Sequence, residues 1–160
     1  MIAIHQQEGL EVFETLRPVL KTRLRLDAVR EASFPIPGSA FDPLRNQYSA
    51  HRLAQSVKEN GKAHYHLLIV DVDLYAAGMN FIFGQADPIT RIAIVSTYRL
   101  KGFLSAERLA KEVVHEVLHL QGLGHCQDPT CVMFFSNTIE DTDHKKIDLC
   151  SNCRRQLEDL

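Results

Sequence analysis

His115-Glu116-Val117-Leu118-His119-Leu120-Gln121-Gly122-Leu123-Gly124-His125 is the stretch on which the reading of this 160-residue chain turns. Its pattern is H-E-x-x-H-x-x-G-x-x-H. Residues four apart on a helix share one face, so His115 and His119 can aim ring nitrogens at a single ion. Glu116 follows the first histidine and is rotated by about 100° around the helix axis. It therefore stands beside the coordination shell, within reach of a water on the metal. Gly122 lets the chain leave the helix sharply, because glycine readily accepts positive φ. That turn would bring His125 back as a third ligand. Three neutral imidazoles leave zinc its charge and one open position. Water there is acidified and a bound carbonyl is polarised.

With 8 histidines in the chain, chance alone would produce this full pattern in about one such sequence in 10⁴. A polar helix face with incidental histidines is the competing reading, and that rarity counts against it.

All four cysteines lie downstream, as Cys126, Cys131, Cys150 and Cys153. Two close pairs across one loop match the spacing of a four-thiolate zinc site. Buried free thiols or a redox C-x-x-C are the other readings. No cysteine falls outside the cluster, which favours zinc. Four thiolates leave no open position, so this second zinc would be structural. Since Cys126 directly follows His125, the two sites would share a backbone junction. The expected cofactors are two Zn²⁺ per chain, one catalytic and one structural.

The length fits one domain with a substantial core, and 45% of residues are hydrophobic. The formal charge is −2 and no basic stripe stands out, so nucleic acid is not expected as a partner. There is no apolar run of about 18 residues, which argues against a membrane span. Met1 to His5 reads as a first strand and lacks the features of a signal peptide. In a cytoplasmic chain four cysteines are not expected to form disulfides. The expected location is cytoplasmic.

Apolar spacing predicts a helix over 8–26, carrying Leu10, Phe13, Leu16, Leu20 and Leu24, with Pro18 kinking it or marking a second start. A strand within 26–34 follows, then a breaker cluster over 35–39. Residues 39–48 read as an ordered loop and 49–59 as a second helix. His66 to Val70 is a nearly continuous apolar run, the mark of a strand buried on both faces. Residues 81–86 and 91–96 read as hairpin neighbours around Asp87-Pro88. Ser105 is the expected N-cap of the motif helix, which runs to about Leu120. The tail from about Asp143 reads as helical. The expected class is α+β, a mixed sheet with helices in one domain spanning 1–160.

From His115 through Cys126, Cys131 and Met133 to Cys150 and Cys153, the pattern H-E-x-x-H-x-x-G-x-x-H-C-x₄-C-x-M followed by C-x-x-C resembles the archaemetzincins, a branch of the metzincin zinc peptidases. The likeness is sharp over this region and diffuse elsewhere. Residues 71–86 resemble the family's N-terminal lobe less specifically. The 16 residues between Met133 and Cys150 are slightly fewer than the family's spacing. The resemblance implies a metzincin-like fold: an N-terminal mixed sheet with helices (about 1–122), an active-site helix, and a small zinc-bound C-terminal lobe (about 123–160). It implies that Met133 is the Met-turn residue, an apolar floor beneath the catalytic zinc. It also implies that 81–86 is a substrate-pairing edge strand and that 134–141 lines the specificity pocket.

Together these readings give a zinc metallopeptidase acting on peptides or proteins, with Glu116 as general base toward a zinc-bound water. The rival is a zinc-stabilised peptide-binding protein with little or no turnover. His5, His51 and His144 lack ligand spacing, and His64 and His66, flanking Tyr65 before a strand, read as surface or strand-start histidines. Asp71 and Asp73 read as turn or cap residues. The charge run over 141–146 reads as a solvated helix start.

Overall fold

The computed structural model describes residues 1–57 and 63–160. In chain order the elements are β1 (Ile2–Gln6), α1 (Phe13–Leu24), β2 (Ala28–Arg30), β3 (Phe41–Asp42), β4 (Gln47–Ser49), α2 (Ala50–Gln55), β5 (Tyr65–Val70), β6 (Leu74–Tyr75), β7 (Gly84–Asp87), β8 (Ile92–Ser96), α3 (Ser105–Leu120), α4 (Ile139–His144) and α5 (Ser151–Glu158). The class is α+β, as the sequence implied.

Five strands form one mixed sheet in the order β2-β1-β5-β8-β7. The pairs β1–β2, β1–β5 and β5–β8 are parallel, and β7 runs antiparallel to β8 at the edge. Successive side chains point to opposite faces, and this alternation divides the interior in two. Ile2, Ile4, Leu67, Ile69, Ala93 and Val95 face a core shared with α1 and α3. Leu68, Val70, Ile92 and Ile94 face a smaller core with Ala50 and Leu53 of α2. The hairpin between β7 and β8 is closed by Asp87, whose carboxylate accepts from Ile89 N at 2.9 Å and Thr90 Oγ1 at 2.9 Å.

Several boundaries differ from the sequence reading. The first helix is shorter than 8–26 and runs through Pro18, ending where Arg25 takes a left-handed conformation. The strand expected within 26–34 keeps only three residues. The expected loop over 39–48 contains β3 and β4, which join β6 in a small second sheet. Helix α2 is capped by Ser49 and is shorter than 49–59, whose last two positions lie outside the described residues. The edge strand begins at Gly84, because Ile82 instead bridges to Leu74. Ser105 does not cap α3; Leu104 holds that position and no side chain caps it.

The tail differs most. It is two short helices with an extended connection, and the charge run is only partly solvated. Thr142 is 0% exposed and Lys145 1%. Helix α4 is started by a capping box, in which Thr138 Oγ1 accepts from Asp141 N at 3.3 Å and Asp141 accepts from Thr138 N at 3.1 Å. Thr138→Ala should cost about 1 kcal/mol and Thr138→Ser far less. Urea unfolding of the two variants checks this.

Candidate metal centres and active-site groove

Helix α3 is buried almost all round from Leu109 onward, so even its polar residues are enclosed. His115 and His119 lie one turn apart on it. His115 Nδ1 donates to the Val132 carbonyl at 2.8 Å, and His119 Nδ1 donates to the Leu123 carbonyl at 2.7 Å. A carbonyl only accepts, so each Nδ1 carries its ring's proton and each Nε2 is left with a lone pair. The two Nε2 atoms stand 3.0 Å apart. Two lone pairs at that distance repel unless a cation lies between them. Burial, with Lys145 nearby, holds His115 well below the usual imidazole range, so a proton does not serve as that cation. The donor set therefore fits a metal ion.

Gly122 (φ +104°) turns the chain at the end of α3. Gly122 N donates to His119 O and Leu123 N to Leu118 O. The turn returns His125, whose ring centroid is 4.7 Å from that of His119 and 5.4 Å from that of His115. Ring nitrogens of all three histidines lie within 4.8 Å of one another. Beyond them, Cys126 N donates to Met133 O at 2.9 Å, folding 126–134 back on itself. Met133 is 0% exposed and neighbours Val132, whose carbonyl orients His115.

The four cysteine sulfurs also lie within 4.8 Å of one another. Cys126 and Cys150 sulfurs are 3.8 Å apart, and no disulfide is formed. Backbone N–H groups of Asp128, Cys150 and Cys153 point at Cys126, Cys131 and Cys150 sulfurs respectively. Such donors favour thiolate. The Cys153 N–H, as the largest influence, holds Cys150 at about 7, whereas burial pushes Cys131 and Cys153 up. Four soft donors converging on one point suit zinc.

Glu116 is 5% exposed, and its carboxylate has no hydrogen-bond partner among the described residues. Burial first, and Glu112 second, push it well above the usual carboxylate range, while Lys145 pulls the other way. Two cavities meet at it. One, of about 270 Å³, is walled by Phe81, Phe83, Glu112, Phe135, Ser136 and Asn137. The other, of about 850 Å³, extends past His119, His125 and Gln127. Gly84, His115 and Glu116 line both.

The site includes residues the sequence did not single out. Lys145 Nζ donates to Glu112 Oε1 at 2.9 Å and to Phe134 O at 3.3 Å. Thr142 Oγ1 donates to the same oxygen of Glu112 at 2.9 Å. Glu112 sits one turn before Glu116, a signal that helical spacing could have supplied. The histidines without ligand spacing lie elsewhere. His5 and His66 bond each other at 3.0 Å, and His66 is a buried strand residue. His64 lies beside Arg91. Asp71 pairs with Lys101 and Asp73 with Arg99, which is a structural use of both. No helix among the described residues is long and apolar enough to cross a membrane.

The pattern of Peptidase family M54 matches residues 19–159. The archaemetzincin of Nanoarchaeum equitans is 45% identical over 129 residues, covering 81% of this chain and 73% of that protein. That of Pyrococcus horikoshii is 46% identical over 131 residues, covering 74% and 70%. The crystal structure of archaemetzincin from Methanopyrus kandleri matches with a TM-score of 0.88 at 31% identity, over 99% of this chain and 93% of that one. The structure from Archaeoglobus fulgidus, complexed with malonate, matches at 0.87 and 29%, over 98% and 99%. Fold, donor sets and relatives together define a zinc metallopeptidase, a hydrolase of peptide bonds. The chain belongs to peptidase family M54, the archaemetzincins.

Proposed function

We propose that His115, His119 and His125 hold a catalytic zinc, that Glu116 is the general base, and that Cys126, Cys131, Cys150 and Cys153 hold a second, structural zinc. The observation that carries the reading is the bare carboxylate of Glu116, buried beside the histidines where two halves of one groove meet. A carboxylate without a protein partner that opens onto a groove is placed to meet a water or a reacting group there. When bound, the catalytic zinc supplies a Lewis acid that polarises the substrate carbonyl and makes a water easier to deprotonate.

The chain's own residues do the rest. Val132 O and Leu123 O fix which nitrogen of His115 and His119 faces the centre. Glu116 takes a proton from the attacking water as oxygen adds to the carbonyl carbon, and it passes that proton to the amine nitrogen as the C–N bond breaks. Burial favours a carboxyl that can release the proton as well as take it. Met133 serves as the Met-turn residue, an apolar support under the histidines. The free side of β7 offers backbone groups to an extended peptide, and Phe135 to Asn137 line a pocket for one of its side chains. Residues 1–122 and 123–160 act as two lobes of one peptidase domain with the groove between them.

Glu116→Ala should leave the zinc content unchanged while hydrolysis of a mixed peptide library falls by about 10²–10⁴-fold. Hydrolysis that persists at the wild-type rate in this variant would overturn the role of Glu116. A zinc-loaded wild-type protein that binds the library and cuts nothing would favour a peptide-binding protein instead.

A further inference from the structure

We infer that Gly84, the first residue of edge strand β7, is a positioning residue for Glu116: its missing side chain is the notch in which the Glu116 carboxylate stands. The inference rests on the reading of Glu116 as the base. It adds a second residue, far away in sequence, that sets where that base can be.

A Cβ placed on Gly84 would lie 2.8 Å from Glu116 Oε1 and 2.9 Å from Glu116 Cγ. It would also lie 2.8 Å from the Ile94 carbonyl oxygen. Contacts this short are well inside van der Waals separation. Gly84 does not have positive φ, so backbone conformation does not explain the glycine. What remains is the closeness of β7 to Glu116 on α3 and to the Ile94 carbonyl on β8. The antiparallel register, with Gly84 opposite Val95, holds β7 on β8, and α3 packs under both strands. Neither element has room to retreat, since Val95, Val113 and Val117 are all fully buried between them.

Of the groups met, only the Glu116 side chain can swing away, so an alanine at 84 displaces Glu116 in addition to straining the backbone pairing at the Ile94 carbonyl. Glu116 has no hydrogen bond among the described residues to hold it against that push. Its useful orientation is kept by shape alone, and Gly84 provides that shape. The strand edge that offers itself to substrate thus also bounds the position of the base.

In the zinc-loaded enzyme, Gly84→Ala should lower kcat by about 100-fold with KM changed less than about 3-fold, the signature of a displaced group and not of weakened binding. In the Glu116→Asp background the carboxylate oxygens are withdrawn and only Cγ still meets the new Cβ, so the same change should cost at least about 5-fold less than it does beside Glu116. Equal losses in both backgrounds would overturn the proposal and assign the glycine to the Ile94 carbonyl contact alone.

Thermal unfolding of the zinc-loaded chain gives a readout independent of turnover. Gly84→Ala should lower Tm more in the wild-type background than in the Glu116→Ala background, and an equal drop would again overturn it. If Gly84→Ala alone fails to fold, folding of Gly84→Ala with Glu116→Ala supports the notch, and failure of both overturns it. Loss of the base reading would instead appear as undiminished hydrolysis by Glu116→Ala, an outcome that leaves the unfolding comparison intact.

Discussion

Replacing Cys153 with Ser is expected, on the proposed two-zinc reading, to remove one of the two ions and to destabilise the protein far more than losing the other ion does. The reason lies in what each site connects. His115 and His119 stand on a helix that the sheet already buries, so α3 persists without metal. Their removal costs activity first. The cysteines instead cross-link three stretches otherwise joined by a few backbone hydrogen bonds, among them Cys126 N to Met133 O and Val132 N to Asp148 O: the turn after His125, the loop at Cys131 and the start of α5. Helix α5 has eight residues, and Cys153 is its one fully buried side chain. So short a helix does not hold itself together in water. In small cysteine sites zinc binding carries about 10–16 kcal/mol that appears as folding free energy. Cys153→Ser should therefore lose stability on the order of several kcal/mol, with the 123–160 region opening first. His119→Ala should lose one zinc and nearly all hydrolysis with a much smaller stability change. Metal analysis per chain, guanidinium unfolding and hydrogen exchange of α5 distinguish the two. Two zinc ions retained in Cys153→Ser, or equal losses of stability in both variants, would remove the structural site.

The parts of the fold that were legible in the sequence are those governed by local periodicity. The run His66 to Val70 declared a doubly buried strand because both faces of β5 are covered. The motif helix was legible because Leu109, Val113 and Val117 repeat at helical spacing and Gly122 stops them. The two donor sets were legible because ligand spacing is itself local, i to i+4 on α3 and C-x-x-C at the start of α5. What stayed hidden depends on distance in sequence. Gly84 looks like an unremarkable strand glycine until α3 is placed beneath it. Strands β3, β4 and β6 have two or three residues each, too few to show alternation. Asp143 looks like a surface charge until Arg108 reaches it with two bonds of 2.7 Å from α3. Lys145 sits in a run of charges, and neighbouring charges in sequence ordinarily share solvent. Here Lys146 faces out and Lys145 faces in.

That inward lysine leads to the second large effect, a loss of about 3–5 kcal/mol in Lys145→Met. The side chains of Lys145 and Glu112 are 0% and 4% exposed and meet at 2.9 Å. Burying two charges is expensive, and their attraction only roughly offsets it. Removing the cation alone therefore leaves Glu112 charged and enclosed, with only Thr142 and Ser136 to donate to it. It also frees the Phe134 carbonyl, one residue past Met133 and two from the carbonyl that orients His115. The partner change shows whether charge or shape is at issue. Glu112→Leu combined with Lys145→Met removes both charges and should recover most of the lost stability, as buried pairs exchanged for apolar side chains commonly do. Urea unfolding of the two single variants and the double closes the cycle. A Lys145→Met loss below about 1 kcal/mol, in the range of exposed pairs, would mean that water reaches this pair in solution. With stability restored in the double variant, any remaining fall in zinc content or hydrolysis measures how far Lys145, through Phe134, holds the loop on which the histidines rest.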